Sequence, residues 1–449
     1  MGSKVLVIGA GISGIGAVSM LAKTGKEVIL YDGNDKLDPE QVRERLNGAA
    51  CEIVLGELTE EVLQQSDMAV ISPGISLETP FVEQIKEAGI QIWSEIELAY
   101  RYAKGHLIAI TGTNGKTTTT ALTGQIMKNW VGDAFTVGNI GTAYTSAALD
   151  TTPDSITTAE VSSFQLESIV EFHPQVSAIL NITPDHLNRH HTMEEYTRVK
   201  ELVTKNQTKD DTCVLNYEDA RLRAFGEQLE IPVMWFSSKQ KVEKGLYLKD
   251  DVIWYTGDGE EYEILPVAEQ NLIGVHNYEN IMAAVGIALA MGAPLDVIRK
   301  TLREFKAVEH RIEYVATKNG VRYYDDSKGT NVDAAIQAVK AMTTPTVLIG
   351  GGYDKGAEYD EWINEFHGKI KLLVLMGQTR DKIAETARRL GMNNICFVDS
   401  MEEAVQVCAK TALPGETVLL SPACASWGMF KNYEQRGDIF KELVRALAD

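Results

Sequence analysis

The chain has 449 residues with 63 acidic and 43 basic side chains, which gives a formal net charge of −20. This charge argues against non-specific binding to nucleic acid or anionic membranes, although a local basic pocket for phosphates is compatible with it. No apolar run reaches the roughly 20 residues that a membrane helix needs, no signal-peptide pattern is present, and the five cysteines form no C-x-x-C pair. We therefore expect a reduced, cytoplasmic protein that is a monomer with no nucleic-acid or membrane partner.

The chain repeats a short apolar strand, a glycine-containing turn and an amphipathic helix. This alternation predicts α/β domains with mostly parallel sheets, and the length predicts about three of them. A polar stretch at residues 239–263 alternates as GLYLKDDVIWY, which predicts an antiparallel hairpin. In chain order, the predicted buried strands are Val5–Ile8, Glu27–Tyr31, Ala69–Ile71, Leu107–Thr111, Ala178–Asn181, Thr346–Ile349, Leu372–Met376 and Thr417–Leu420.

A first glycine-rich loop follows the first strand, with the sequence Gly9-Ala10-Gly11-Ile12-Ser13-Gly14. Glycines in this pattern permit a tight turn and the close approach of a phosphate to the helix N-terminus. Asp32 ends the second strand, at about the spacing of a ribose-binding acid. Taken alone, the pattern predicts NAD binding. A different diphosphate ligand, or a turn needed only for packing, is also compatible with it.

A second glycine-rich loop follows the strand at Leu107, with the sequence Thr111-Gly112-Thr113-Asn114-Gly115-Lys116-Thr117-Thr118. Backbone N–H groups at such a turn bind phosphate oxygens, Lys116 can neutralise β- and γ-phosphate charge, and Thr117 can hold Mg²⁺. Only two residues separate Gly112 from Gly115, so the loop is shorter than the common G-x-x-x-x-G-K-[ST] pattern. The sequence predicts an ATP-binding loop here.

The T-G-T-N-G-K-T loop resembles the shortened phosphate-binding loop of the Mur ligase superfamily, which also holds the folylpolyglutamate synthases. Further segments resemble this family in the same order along the chain: Gly138-Asn139-Ile140-Gly141, Glu160-Val161-Ser162-Ser163-Phe164-Gln165, Asp185-His186, Tyr196-Thr197-Arg198-Val199-Lys200, His276-Asn277-Tyr278-Glu279-Asn280 and Asp325-Asp326-Ser327-Lys328-Gly329-Thr330-Asn331. The resemblance implies a Rossmann-like N-terminal domain at residues 1–104, a central P-loop ATPase-type domain at 105–309 and a C-terminal Rossmann-like domain at 310–449.

Two segments resemble one branch of the family in particular. His310-Arg311 stands where sister ligases carry Gly-Arg, and the ending with Ser421–Trp427 and Phe430–Gly437 is similar to that of the D-glutamate-adding ligases. The sequence departs from this pattern at three positions. Gly428 and Gly329 replace an expected Asp and Ala, and Asn188 replaces an Asp.

The resemblance implies an ATP-dependent ligase that adds D-glutamate to UDP-N-acetylmuramoyl-L-alanine through an acyl phosphate, in peptidoglycan precursor synthesis. It implies two Mg²⁺ sites, with Thr117 and Glu160 at the first and His186 and Lys200 at the second. Lys200 would be carbamylated by CO₂, because an ammonium cannot ligate a cation whereas a carbamate oxygen can. The implied catalytic residues are Lys116, Glu160, His186 and Lys200.

The resemblance also implies three groups of substrate-binding residues. ATP would contact Gly112, Thr113, Asn114, Gly115, Lys116, Thr117, Thr118, Asn277, Asn280, Arg311 and Asp326. The UDP-sugar would contact Gly11, Ile12, Ser13, Asp32, Gly33, Asn34 and Asn139. D-Glutamate would contact Lys328, Thr330, Lys355, Ser426, Trp427 and Tyr433.

Other interpretations of these residues stay open. Lys200 on a helix is compatible with a solvated surface residue, His186 with an ordinary loop histidine, and Asn277 with a helix cap. A folylpolyglutamate synthase would not need a separate UDP-binding domain ahead of the phosphate-binding loop. A nucleotide-binding regulatory protein would not need His186 and Lys200 as a second metal set.

Overall fold

The computed structural model describes residues 4–139 and 142–448, which form three sheets flanked by helices. The predicted α/β class with mostly parallel sheets is confirmed. Among the described residues, no helix has the length and apolar character needed to cross a membrane. All five cysteines are free thiols.

The first sheet has five parallel strands in the order β3-β2-β1-β4-β5. Alternate residues of β1 enter two different apolar clusters, so helices cover both faces. The glycine-rich turn after β1 lies where the strand order reverses, a position that binds ligands in open α/β sheets. Its elements are β1 (Lys4–Ile8), α1 (Ile12–Lys23), β2 (Val28–Asp32), α2 (Pro39–Leu46), β3 (Glu52–Leu55), α3 (Glu60–Gln64), β4 (Ser66–Ile71), α4 (Pro80–Glu87), β5 (Gln91–Ser94) and α5 (Glu95–Tyr102).

The second sheet has nine strands in the order β14-β13-β12-β11-β10-β9-β6-β8-β7, and its antiparallel pairs are β12 with β13 and β13 with β14. The order again reverses at β6, directly before the phosphate-binding loop. Its elements are β6 (His106–Thr111), α6 (Lys116–Val131), β7 (Ala134–Gly138), α7 (Tyr144–Ala147), β8 (Ile156–Glu160), α8 (Ser163–Leu166), β9 (Val176–Ile179), α9 (Leu187–His190), α10 (Met193–Glu201), β10 (Thr212–Asn216), α11 (Ala220–Gly226), β11 (Val233–Ser237), β12 (Gly245–Lys249), β13 (Val252–Gly257), β14 (Glu260–Pro266), α12 (Val275–Ala290) and α13 (Leu295–Glu304).

The third sheet has six strands in the order β15-β16-β20-β17-β18-β19, and only β15 is antiparallel to its neighbour. The carboxyl ends of β16, β17 and β20 therefore meet at one edge. Its elements are β15 (Glu313–Lys318), β16 (Val321–Asp325), α14 (Val332–Ala341), β17 (Thr346–Gly350), α15 (Asp360–Asn364), β18 (Ile370–Leu375), α16 (Arg380–Arg389), β19 (Ile395–Phe397), α17 (Met401–Thr411), β20 (Thr417–Leu420) and α18 (Tyr433–Ala446).

All eight predicted strands exist; Thr417–Leu420 has the predicted bounds, and the ends of the others differ from the prediction by at most three residues. The predicted strand Ala178–Asn181 corresponds to β9, which ends at Ile179, so Asn181 belongs to the loop that follows. The hairpin is confirmed as the antiparallel pair β12 and β13.

The chain divides into two compact units, Met1–Val267 with Glu279–Arg303 and Ala268–Tyr278 with Glu304–Asp449. The first unit contains both the first and the second sheet, and one cluster of buried apolar side chains runs through both. It includes Val7 of β1, Ile96 and Leu98 of α5, and Ala109 of β6. The first two sheets of this unit are therefore joined by a continuous core.

The buried Glu97 carboxylate adds a polar connection between these two sheets. It accepts hydrogen bonds from the backbone N–H groups of Val170, Glu171 and Phe172 at 2.8–3.1 Å, and from Arg101 Nε at 2.7 Å. A buried carboxylate needs such donors, because a carboxylate or an N–H group that is buried without a hydrogen-bond partner loses its hydration and gains nothing in return.

We expect Glu97→Gln to lower the free energy of unfolding by about 3 kcal/mol, because the amide nitrogen places a donor against backbone donors. Glu171→Gln is the matched control, since Glu171 also pairs with Arg101 but its side chain is 65% exposed. Its loss should stay below about 1 kcal/mol. Urea denaturation measures both, and equal losses for the two variants would contradict this role of Glu97.

Candidate active site

The phosphate-binding loop leaves β6 at its carboxyl end and enters α6. Gly115 caps this helix with φ of 85°, and a Cβ there would overlap the side-chain oxygen of Asn280. Both constraints favour glycine. Asn280 on α12 therefore packs directly against the loop.

Asn181, just after β9, holds the loop in place. Its carbonyl oxygen accepts from Thr113 N at 2.9 Å, and its side chain exchanges two hydrogen bonds with the backbone of Asn114 at 2.8 and 3.0 Å. Lys116 Nζ donates to the carbonyl oxygens of Gly112 at 2.9 Å and Thr113 at 2.7 Å. The ammonium group is thus held over the turn where phosphates are predicted to bind.

Lys200 lies on α10 and is only 2% exposed, so the surface-residue interpretation is wrong. Its Nζ donates to the carbonyl oxygen of Gly112 at 2.8 Å and lies 4.6 Å from the centre of the Tyr196 ring. Burial holds the pKa of the Lys200 amine well below its ordinary value, the nearby Lys116 ammonium lowers this pKa further, and Asp185 opposes both effects. An amine in this environment favours the uncharged form.

Glu160 is the last residue of β8 and is buried. Its Oε1 accepts from Asn139 Nδ2 at 3.2 Å, whereas no hydrogen bond reaches Oε2 from residues 4–139 or 142–448. A buried carboxylate oxygen without a donor is costly, and a bound cation would satisfy it. Ile140 and Gly141, which complete the predicted Asn139 segment, lie outside the described residues.

His186 begins the short helix α9 in a left-handed conformation with φ of 53°. Its ring is about half exposed, lies 3.5 Å from the Asp185 carboxylate and contacts the edge of Phe164 with ring centres 4.9 Å apart. The neighbouring His190 is buried and stacks on the same Phe164 ring with ring centres 5.4 Å apart, and burial lowers its pKa to about 4. Asn188, one of the departures from the family pattern, is exposed.

In the first sheet, the glycines of the G-x-G-x-x-G turn differ in their surroundings. A Cβ at Gly14 would overlap the carbonyl oxygen of Gly9, whereas a Cβ at Gly11 would meet no atom within 4 Å. Packing therefore requires Gly14, while the backbone at Gly11 stays open to a ligand. The Asp32 carboxylate accepts from Ala10 N at 2.8 Å and from Asn34 N at 3.0 Å, so it stabilises this turn directly. Ile12 is exposed, and Gly33 packs near Tyr31.

In the second compact unit, predicted residues meet at the carboxyl ends of β16, β17 and β20. Ser421 donates to the buried Asp326 at 2.8 Å, Lys328 Nζ lies 5.4 Å from the centre of the Tyr433 ring, and Lys355 Nζ lies 5.5 Å from that of Trp427. Thr330 follows in the same loop as Lys328, and Ser426 is buried in the segment after β20.

Two departures from the family pattern have physical reasons in this unit. A Cβ at Gly329 would overlap the Asp326 carboxylate, so the glycine leaves room for that side chain. Gly428 has φ of 89° with no atom near its Cβ position, a conformation that glycine adopts without strain.

His310 and Arg311 begin the predicted C-terminal domain of residues 310–449. His310 Nδ1 is 2.7 Å from Asp325 Oδ2, and its carbonyl oxygen accepts from Lys328 N at 3.0 Å. Lys441 supplies positive charge to the same cluster, 3.3 Å from Glu313. Asn277 also lies in this unit, where its amide donates to the carbonyl oxygen of Ile273 at 2.8 Å. It is the third residue of α12, so it does not occupy the helix cap.

Several residues in these sites were not predicted as site residues from the sequence. Asn181, Tyr196 and Ser421 contact predicted residues directly, and Arg189 and Glu95 link the first two sheets. Asn181 and Ser421 carry a signal that could have identified them, because Asn181 is the polar last residue of a predicted strand and Ser421 directly follows another. Arg189 and Glu95 have no such signal.

Family models match the chain in three consecutive segments. They are the MurD-like N-terminal domain of Mur ligases at residues 3–94, the Mur ligase middle domain at 110–288 and the Mur ligase glutamate ligase domain at 310–424. The chain is 58% identical to the UDP-N-acetylmuramoylalanine–D-glutamate ligase of Lachnospira eligens over 443 residues, covering 99% of this chain and 98% of the relative. It is 55% identical to the ligase of the same name from Lachnoclostridium phytofermentans, covering 100% and 99% of the two chains.

A solved structure shares the fold at low identity. The MurF ligase of Thermotoga maritima in complex with ADP matches with a TM-score of 0.60 and 17% identity, covering 94% of this chain and 96% of that one.

The Asp326 carboxyl makes stability depend on pH. Burial raises its pKa to about 7, Arg311 and Ser421 oppose the shift, and Asp325 adds to it. Between the unfolded pKa of about 4 and the folded value, the folded state binds more protons, so stability falls as pH rises through this window. We expect the unfolding free energy of wild type to fall between pH 4 and 7 by on the order of 3 kcal/mol more than that of Asp326→Asn.

Urea denaturation across this pH range measures the difference. Asp360→Asn is the control, because Asp360 is exposed and pairs with Arg389 at the surface. Its curve should run parallel to wild type. If Asp326→Asn also runs parallel, the buried carboxyl does not titrate in this window.

Proposed function

The chain belongs to the Mur ligase family as an ATP-dependent ligase of its D-glutamate-adding branch, and we propose that it joins D-glutamate to UDP-N-acetylmuramoyl-L-alanine. The γ-phosphoryl group of ATP passes to the sugar-nucleotide carboxylate, giving an acyl phosphate and ADP. The amine of D-glutamate then attacks the acyl carbon, phosphate leaves, and the amide bond is formed. We propose that this reaction serves peptidoglycan precursor synthesis, as the family resemblance implies, and the names of the relatives describe ligation of the same two substrates.

The observation that carries this proposal is the buried Lys200 beside the phosphate-binding loop. A nucleotide-binding regulatory protein has no need for a second lysine on the Gly112 carbonyl. A folylpolyglutamate synthase has no need for the separate first sheet, which resembles the N-terminal domain of this branch. Both alternatives therefore explain less of the chain.

The phosphate-binding loop orients ATP in this proposal. The N-terminus of α6 and the backbone N–H groups of the loop face phosphate oxygens, and Lys116 moves from the loop carbonyls to the γ-phosphate. Asn280 supports the loop from its packed position against Gly115. Thr113, Asn114, Thr117 and Thr118 complete this set, with Asn277, Arg311 and Asp326 as further ATP contacts.

The residues present fit Mg²⁺. Glu160 offers a buried carboxylate oxygen that receives no hydrogen bond from the described residues, and the Thr117 hydroxyl is buried at the start of α6. Hard oxygen ligands of this kind suit Mg²⁺, which would neutralise the repulsion between phosphate and carboxylate oxygens. We propose Thr117 and Glu160 for one ion, and His186 with Lys200 for a second.

A lysine amine is a poor ligand for Mg²⁺, which prefers oxygen, so we propose that CO₂ carbamylates Lys200. Carbamylation requires the uncharged amine, which burial and the neighbouring Lys116 favour. The resulting anion would also replace a charge repulsion with Lys116 by an attraction.

The two other substrates are assigned to separate parts of the chain. We propose that the first sheet, in a domain of residues 1–104, binds the UDP-sugar through Gly11, Ile12, Ser13, Asp32, Gly33 and Asn34, with Asn139 from the central domain at 105–309. The domain at 310–449 binds D-glutamate through Lys328, Thr330, Lys355, Ser426, Trp427 and Tyr433. Cations and hydroxyls in this set suit a second carboxylate. We propose that the enzyme acts as a monomer.

A substrate panel tests the function. ADP release in the presence of UDP-N-acetylmuramoyl-L-alanine should require D-glutamate and should not be supported by L-glutamate, L-lysine or meso-diaminopimelate. Lys116→Ala should retain the fold and lose turnover by about a thousandfold, because γ-phosphate stabilisation is lost. ADP release that ignores the amino acid, or that prefers another one, would contradict the proposal.

Variants of Lys200 test its modification. Lys200→Ala should lose activity, and a short carboxylic acid in the buffer should restore part of it by supplying the missing oxygen ligand. Lys200→Arg should remain inactive, because its guanidinium group stays charged and cannot be carbamylated. Steady-state rates with and without acetate measure both. Full activity of Lys200→Arg would contradict a carbamate at this position.

A further inference from the structure

Arg189 on α9 connects the first sheet to the second within one compact unit. Its Nη1 donates to the carbonyl oxygen of Pro73 at 2.8 Å, and its Nη2 donates to that of Ile75 at 3.0 Å. The same Nη2 donates to Glu167 Oε2 at 2.6 Å, and the guanidinium carbon lies 4.2 Å from the centre of the Phe164 ring. One side chain therefore binds backbone of the first sheet and side chains of the second.

In the first sheet, Arg189 binds the loop of residues 72–75, which packs against the glycine-rich turn. Ser72 Oγ donates to the carbonyl oxygen of Gly9 at 3.4 Å, and a Cβ at Gly9 would lie 2.9 Å from Ile75 Cδ1 and from Ser72 Oγ. The loop of residues 72–75 and the turn of residues 9–14 thus support one another. A ligand that binds to the turn would therefore also restrict the motion of the loop.

On the second-sheet side, Arg189 supports the segment that carries His186. Its backbone N–H donates to the carbonyl oxygen of His186 at 3.0 Å, and the Phe164 ring beneath the guanidinium also contacts the His186 ring. Helix α9 has only four residues. Because so short a helix is not stable by itself, contacts from outside must fix the direction of His186.

The surroundings of Arg189 differ from those of an ordinary surface ion pair. The Arg189 and Glu167 side chains are 12% and 14% exposed, whereas the neighbouring pair of Arg198 and Glu195 is 58% and 42% exposed. A planar guanidinium can reach two carbonyls and a carboxylate at once while it stacks on a ring. A lysine ammonium lacks this rigid geometry, so it could not hold all four groups.

We propose that Arg189 is a positioning residue that couples the ligand-binding turn of the first sheet to the His186 segment of the second. The inference rests on the proposed function, in which the first sheet carries the sugar nucleotide and His186 lies at the reaction centre. Arg189 touches neither substrate nor metal in this account. It keeps the carboxylate end of the bound sugar nucleotide in register with the groups that activate it.

Hydrogen exchange with UDP as the probe tests the coupling. In wild type, saturating UDP should slow amide exchange at residues 9–14 and 72–75, and also at residues 186–191. In Arg189→Lys, UDP should still protect the first two segments but no longer the third. Arg198→Lys is the matched control on α10 and should behave like wild type.

Kinetics provide the second readout. Arg189→Lys should lower kcat by about 10- to 100-fold, the usual effect of losing a group that orients a ligand residue. The KM for ATP should change less than twofold, because the contacts described for Arg189 lie outside the phosphate-binding loop. A merely structural role would instead lower the melting temperature and change all kinetic parameters together.

Three results would overturn the inference. The first is equal protection of residues 186–191 by UDP in Arg189→Lys and wild type. The second is no protection of these residues in either protein. The third is a wild-type kcat for Arg189→Lys. Failure of the proposed function is distinguishable, because it appears as wild-type enzyme that gives no D-glutamate-dependent ADP release. The exchange experiment with UDP does not depend on that activity.

Discussion

Two lysine side chains, on helices α6 and α10 beside the second sheet, share one acceptor, the carbonyl oxygen of Gly112. Lys116 Nζ lies 2.9 Å from this oxygen and Lys200 Nζ lies 2.8 Å from it, so the two nitrogens are within about 6 Å of each other. Two ammonium groups this close in a buried site repel strongly, and the buried one gives up its proton more readily. The phosphate-binding loop therefore places Lys200 where a neutral amine, or an anion formed from it, is favoured.

The topology of the sheets explains why these groups meet. Strands β6, β8 and β9 are parallel neighbours, so the loops after their carboxyl ends lie along one edge. That edge receives the phosphate-binding loop, Glu160 and Asn181. Asn181 then joins two of these loops through its contacts with Asn114. Polar residues far apart in the sequence converge because parallel strands end on the same side.

Much of this arrangement was predictable from local sequence. Buried strands appear in the sequence as apolar runs, and the turn at Gly112–Lys116 follows one of them. The loop and its helix could therefore be predicted from the sequence alone. Glu160 was named through the family resemblance, and the structure adds that it is the buried last residue of β8. The branch-specific residues His310 and Arg311 depended on the family resemblance rather than on a physical pattern.

Other features could not be predicted from local sequence. Lys200 has the pattern of an exposed helical residue, and only the packing of α10 against the loop buries it. Arg189 and Glu97 connect two sheets, and sequence periodicity contains no information about which segments of different sheets will meet. The need for glycine at position 329 likewise depends on the position of the Asp326 carboxylate, which is set by tertiary packing.

The chemistry proposed for this site depends most directly on the chemical state of Lys200. Carbon-13 nuclear magnetic resonance of the enzyme in labelled bicarbonate would detect a carbamate carbon on a lysine. We expect one carbamate resonance in wild type that is absent from Lys200→Arg. An active wild-type enzyme with no carbamate resonance under the same conditions would contradict the account.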